Sequence, residues 1–270
     1  MTSGSKGSVY RERFYRENHN LERFRSCLIQ EGESDIWMGW NFSSPGTEDE
    51  ELIQESAAAL LRELRNSIIS YGASHPGFIE ALRPFPSSPA DPPIIQAMTS
   101  AAGAAGTGPM AAVAGALAEG LGRGLLRRFR FRELIIENGG DFWMKIAEPL
   151  SISVYAGLSS LSGKTALIMD PVLSPCGLAC SSGTVGPSLS YGKADAAVVF
   201  ARDAAVADAW ATALGNRLKR REDLEPELEK LIAGIYAGEY RPLGALAIMG
   251  DAMAAAGNIR LGPAQESESI

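Results

Sequence analysis

The sequence predicts an α+β fold, and three observations predict it. Strand-like apolar runs follow one another from Leu134 onward, helical segments cluster before and after them, and no regular strand–helix alternation appears. A doubly wound parallel sheet would need that alternation.

Taken in order, residues 1–8 read as a disordered tail, and 9–262 as a single domain that leaves two intertwined subdomains open. Arg11–Gln30 mixes Phe14, Tyr15 and Phe24 with charges and reads as extended chain; Ser34–Trp40 alternates enough for a strand. Thr47, followed by Glu48, Asp49 and Glu50, is a capping signal for a long helix reaching about Tyr71. Leu52, Ala59, Leu60, Leu64 and Ile68 are its expected apolar side. Pro76–Pro93 is irregular. Pro93–Ala105 reads as a helix, Gly106–Pro109 as a break, and Met110–Leu126 as a second helix rich in Ala and Gly, whose small side chains let another backbone, a ligand or a second subunit approach.

Leu134–Ile136 reads as a buried strand ending in the turn Glu137-Asn-Gly-Gly-Asp141, which glycine makes at least cost. Phe142–Ala147, Ser151–Tyr155, Thr165–Met169 and Lys193–Ala201 are further strands; Asp170-Pro171 and the Cys-containing stretch after it read as loop. Asp203–Leu218 and Leu224–Tyr236 are helices. Leu243–Met249 and Ile259–Leu261 close the sheet, and 263–270 is a frayed tail.

Composition narrows the function. Of 270 residues, 46% are hydrophobic and 21% charged, with net charge −7, which is ordinary for a globular protein and gives no global attraction to nucleic acid. The basic runs Arg11–Arg25 and Arg123–Arg132 interleave with Glu or apolar residues and read as solvated faces. Three cysteines form neither a disulfide framework nor a C-x-x-C pair, and two distant histidines make a His-rich metal centre improbable on composition. The charged first 25 residues hold no apolar signal core, and Ala101–Ala118 is too rich in Ala and Gly for a membrane span. The expectation is a cytoplasmic protein without membrane or nucleic-acid partners.

Two familiar phosphate motifs fail on inspection. Gly103-x-x-Gly106-x-Gly108 has the wrong glycine order for a dinucleotide fingerprint and follows no strand. Ser162-Gly-Lys-Thr165 lacks the upstream glycine of a P-loop and leads into an apolar run. What survives is a Gly/Ser-rich loop, Cys180-Ser-Ser-Gly-Thr184, followed by a helix carrying Asp208 and Thr212 four residues apart on one face. Carboxylate and hydroxyl oxygens suit Mg²⁺ or Ca²⁺. Alone, the pair is equally an acidic residue near a helix start and a hydroxyl bonding back to a carbonyl.

Order adds specificity. Gly108-Pro-Met-Ala-Ala-Val-Ala-Gly-Ala-Leu-Ala-Glu119, Ile136-Glu-Asn-Gly-Gly-Asp141, Ser181-Ser-Gly183 and Ala207-Asp-Ala-Trp-Ala-Thr-Ala-Leu214 occur in sequence. This series resembles the ApbE superfamily of flavin transferases, and is most similar to a soluble branch of it. The resemblance implies antiparallel or mixed sheets packed with helices, including an Ala/Gly-rich central helix. It implies Mg²⁺ held by Asp208, Thr212 and the Ala116 carbonyl. It also implies contacts to FAD from Glu119, from Asn138, Gly139, Gly140 and Asp141, and from Ser181, Ser182, Gly183 and Thr184. In the transferases FMN passes from FAD to a Thr or Ser hydroxyl of an acceptor protein, with release of AMP. The resemblance thus implies a nucleotide ligand and an acceptor protein. Two readings stay beside transfer: a protein that binds flavin or another anionic ligand without chemistry, and an enzyme for another small phosphorylated or acidic substrate. The sequence departs from the transferases after Ser181-Ser-Gly183, where their H-x-x-D-P motif is replaced by a stretch without histidine.

Overall fold

A computed structural model of the chain describes residues 23–43, 49–183, 192–234 and 240–264. Eight strands form one sheet in the order β1 (Arg25–Glu31), β2 (Ser34–Asn41), β3 (Glu133–Asn138), β4 (Asp141–Lys145), β7 (Cys176–Ser181), β8 (Ala196–Ala201), β9 (Gly244–Met249), β10 (Ala252–Gly257). Every neighbouring pair runs antiparallel. A second sheet of three, ordered β11 (Leu261–Pro263), β6 (Thr165–Met169), β5 (Leu150–Ser153), is antiparallel too. The α+β class read from the sequence is the observed one.

The large sheet buries both faces. On one side lie α1 (Glu50–Ser74), α2 (Pro93–Ala105), α3 (Val113–Leu126), α4 (Ala204–Arg217) and α5 (Leu224–Ile232). On the other, Trp37, Met144, Leu178, Val198 and Phe200 meet Val154, Leu167 and Met169 of the region around the small sheet. Strands enclosed on both faces carry continuous apolar runs, as in β8, where all six residues are buried.

Helix α1 is capped by Asp49, whose carboxylate accepts from the amides of Glu51 (3.0 Å) and Leu52 (3.4 Å). The sequence pointed to Thr47, which lies outside the described residues. Of the expected face only Ile68 is enclosed, together with Ile53, Ala57, Leu61 and Tyr71, while Leu52 is 51% exposed. Apolar residues occupy two adjacent stripes of this helix, and periodicity alone does not choose between them. The second stripe has its own role, because Leu60 and Leu64 pack, half-buried, over Gly124 and Gly120 of α3.

After α2, Gly106 adopts φ 75° and ends the helix. A 3₁₀ turn, Pro109–Ala112, then leads into α3 at an angle of 103° to α2. The 76–92 stretch packs rather than swings free: Phe78 is buried against Tyr71 and Phe85. Among the described residues no single helix is long and apolar enough to cross a membrane.

Several sequence expectations need correction. Cys176–Ser181, read as loop, is a central strand. Ala252–Gly257 is a strand that the sequence did not suggest. The last strand is Leu261–Pro263, and it joins the small sheet rather than closing the large one. Pro263, placed at the start of a tail, pairs with Thr165, and the Ala264 amide bonds the Lys164 carbonyl. Residues 1–8 and 265–270 lie outside the described residues.

Candidate functional site

The site forms where α3 and α4 cross above β4 and β7. Gly115 makes the crossing close: a Cβ there would collide with the Ala204 carbonyl and lie 2.9 Å from the Cβ of Asp208. Asp208 is enclosed, and its Oδ2 accepts from the Gly115 amide at 2.9 Å. The neighbouring Ala114 amide also favours the charged form. A carboxylate from one helix thus satisfies a donor in the first turn of the next, where the helix dipole favours negative charge. Burial nevertheless raises the Asp208 carboxyl to about 7, with the two amides pulling it down; no basic side chain contributes.

The reciprocal contact runs from α3 back to α4. Glu119 Oε2 accepts from the Ala204 amide at 2.8 Å, and its Oε1 accepts from Arg123 Nε at 2.7 Å. Arg123 also bonds Asp203, the N-cap residue of α4, at 3.2 Å. Burial, with the Asp203 charge, pushes the Glu119 carboxyl up, while Arg123 and the Ala204 amide lower it. Each helix therefore caps the other.

The β3–β4 turn docks onto this pair. Gly139 and Gly140 adopt φ 74° and 100°, the backbone of a two-residue hairpin turn that demands left-handed residues. The Gly140 amide bonds Glu137 Oε1 at 2.7 Å. Asn138 Nδ2 donates to the Ala114 carbonyl at 3.3 Å, which fastens the turn to the start of α3. Asp141 Oδ1 accepts from the Cys180 amide at 3.3 Å, which fastens it to β7.

β7 runs along α4. Gly177 lies against Ala204, and four residues later Ser181 Oγ sits 3.2 Å from where a Cβ on Gly215 would be. Asp208, Thr212 and Gly215 follow i, i+4, i+7 and share one helix stripe, so Thr212 lies between the Asp208 contact and the Ser181 end. Gly183 closes on the 192–194 segment, its amide bonding the Ala194 carbonyl at 2.9 Å.

The predicted segments 114–116, 138–141, 180–183 and 208–212 are thus brought together by direct contacts. Glu119 lies one turn along α3, its oxygens bonded to the Ala204 amide and to Arg123. Thr184 lies outside the described residues. Sequence reasoning missed the Gly115 amide as a partner of Asp208, and Arg123 and Asp203 as partners of Glu119. Only the i, i+4 spacing of Glu119 and Arg123 offered a local signal.

Among the described residues no three His, Cys, Asp or Glu side chains cluster as a metal centre would require. A single carboxylate still suits Mg²⁺, which keeps waters and takes phosphate oxygens to complete its shell. Asp208, Thr212 and the Ala116 carbonyl are all hard oxygen donors. Asp208 is buried, bonded to the Gly115 amide and with no cationic neighbour contributing to its charge, which leaves acceptor capacity for a cation. The donor set fits such an ion.

A family model described as AbpE bacteria matches residues 16–233. A UPF0280 protein from Methanosphaerula palustris is 45% identical over 165 residues, covering 61% of this chain and 69% of that protein. One from Methanoculleus marisnigri is 38% identical over 216 residues, covering 76% and 80%. Among solved structures, the flavin transferase ApbE from Vibrio cholerae superposes with TM-score 0.55 at 10% identity, over 87% of this chain and 96% of that one. The flavinyl transferase ApbE of Pseudomonas stutzeri gives 0.52 at 12% identity, over 87% and 94%. At such identities the likeness establishes the shared fold.

Proposed function

This chain belongs to the AbpE bacteria family, and from that premise we propose that it is a Mg²⁺-dependent flavin-nucleotide protein that transfers FMN from FAD or cleaves FAD at its pyrophosphate. The observation that carries the reading is the Asp208 carboxylate: buried, free of a cationic neighbour's influence, and fixed on the Gly115 amide of α3 beside the Gly-Gly-Asp turn. In this reading Asp208, Thr212 and the Ala116 carbonyl would hold the metal, which would supply charge neutralisation for phosphoryl chemistry. The backbone at Gly139 and Gly140 and the Ser181–Gly183 segment border the ligand. Asn138 keeps the turn seated on α3, and Asp141 keeps it seated on β7. Glu119 supports the first turn of α4. Transfer would form a bond from an acceptor oxygen to the FMN phosphorus and break the phosphorus–oxygen bond to AMP. A Thr or Ser hydroxyl of an acceptor protein gives a flavinylated product, and water gives free FMN.

One observation favours a second reading, binding without turnover. The stretch after Ser181-Ser-Gly183 contains no histidine, and His75, the only described histidine, stacks on Tyr71 at the end of α1 with its Nδ1 at the Tyr71 carbonyl. No imidazole among the described residues is thus placed to move a proton at the site.

Incubation of purified protein with FAD and Mg²⁺, with mass-spectrometric detection of AMP, FMN and flavinylated protein, tests the proposal. AMP formation that is lost with a chelator and in Asp208→Asn supports it. Tight FAD binding without AMP selects the second reading. Absence of both FAD binding and turnover overturns both.

A further inference from the structure

The two edges of the large sheet are treated differently. β1 carries Arg25 and Glu31, and these pair with Glu50 (2.6 Å) and Arg62 (3.2 Å) of α1. That edge is charged and guarded, as exposed strand edges in monomers usually are. β10, at the opposite edge, reads Ala-Met-Ala-Ala-Ala-Gly, with no charge and no proline. Ala252, Ala254 and Ala256 pack toward the helices, while Met253 and Ala255 are exposed, Met253 by 39%.

The hydrogen-bond parity of β10 is fixed by its pairing with β9. Ala252 pairs with Met249 across a two-residue turn, and in the same register the Asn258 amide bonds the Leu243 carbonyl. The even-numbered residues therefore direct their amides and carbonyls at β9, and Met253 and Ala255 direct theirs outward. Among the described residues no strand pairs with that outer edge. Four strong backbone groups in an uncharged strand are left for water or for a partner.

We propose that β10 is a homodimer interface, pairing antiparallel with β10 of a second copy about a two-fold axis at Ala254. This register matches the outward groups of Met253 with those of Ala255 in the other copy, twice, giving four backbone hydrogen bonds. It also sets each large Met253 side chain beside a small Ala255. A second copy is the partner that this pattern fits, because antiparallel pairing about a two-fold axis makes the edge self-complementary in hydrogen bonding and in side-chain size. The two sheets then form one continuous sheet of sixteen strands, twice the eight in each copy.

Sedimentation velocity of the full chain at micromolar concentrations tests this. The expected wild-type species has twice the 28.6 kDa chain mass. Ala255→Pro removes an outward amide that the folded monomer does not use, and Ala255→Lys places like charges near the axis. Both are expected to sediment as monomers with the far-ultraviolet circular dichroism of the wild type. The Lys variant keeps every backbone amide, so a Pro variant that misfolds leaves the test intact. A monomeric wild type, or a dimer that persists in folded Ala255→Lys, overturns the proposal.

Discussion

Asp208 of α4 accepts a hydrogen bond from the Gly115 amide in the first turn of α3 at 2.9 Å, across 93 residues of sequence. The bond couples the charge state of the site to the packing of two helices, so changes at either residue have a defined direction.

In metal-free protein, folding lifts the Asp208 carboxyl from an ordinary value of 3.8 to about 7. The folded state then holds a proton that the unfolded chain releases. The contribution of Asp208 to metal-free stability is therefore greatest below about pH 4, falls as pH rises toward about 7, and levels off above that. Asp208→Asn removes this dependence and keeps an oxygen that can accept from the helix amides. In a chelator at pH 8, the variant is expected to melt no lower than the wild type. Added Mg²⁺ should raise the melting temperature of the wild type alone. An equal Mg²⁺ response in both proteins would remove Asp208 from the metal site.

Gly115→Ala is expected to destabilise the protein by about 1–3 kcal/mol or more, since its methyl meets the Ala204 carbonyl and the Asp208 Cβ. Gly103 in α2 is the control. A Cβ there meets nothing within 4 Å, so Gly103→Ala should stabilise by about 0.5–1 kcal/mol through helix propensity. Urea denaturation of the two variants gives opposite signs if the α3–α4 crossing is as tight as described.

The order of the 114–116, 138–141, 181–183 and 208–212 segments was legible in the sequence, and the fold brings them into contact. The bonds between them were not, because the partner of Asp208 is a backbone amide, which has no sequence signature. The fold shows the same division. β3 announces itself through Leu134-Ile-Ile136 and the glycine turn that follows. β7 does not, because Cys-Gly-Leu-Ala-Cys-Ser is small, enclosed on both faces for most of its length and without alternation. β10 is hidden for a related reason: Ala has low strand propensity, and four of the six residues are Ala. In both strands tertiary packing decides what local preference leaves undecided.

Glu119→Ala removes the acceptor for the first amide of α4 and leaves Arg123 with Asp203 alone. A loss of about 1–2 kcal/mol is expected, the usual cost of deleting a helix cap. Glu119→Gln keeps an acceptor oxygen and should lose less. If chemical denaturation ranks Gln at or below Ala, the carboxylate acts through its charge and not as a cap.

Glu133 gives a test at acid pH, away from the site. It is buried on β3, which by itself would raise its carboxyl. Arg23, the Ala147 amide and Asn41 outweigh burial and bring it down to about 2. Arg23 Nε lies 3.0 Å from Oε2, the Asn41 amide 2.7 Å from the same oxygen, and the Ala147 amide 2.8 Å from Oε1. Because folding lowers this group below its ordinary 4.5, its contribution is complete above that value. It declines as pH falls from there and is gone once pH passes below about 2. Glu133→Ala leaves a part-buried guanidinium and enclosed donors without their acceptor, which costs about 3–5 kcal/mol at pH 7 for a broken buried pair. Glu133→Gln should cost less and should flatten the acid limb of the stability curve. Melting temperatures of the wild type and the Gln variant from pH 7 to pH 2.5 are therefore expected to converge as pH falls, and parallel curves would mean that Glu133 already carries its proton at neutral pH.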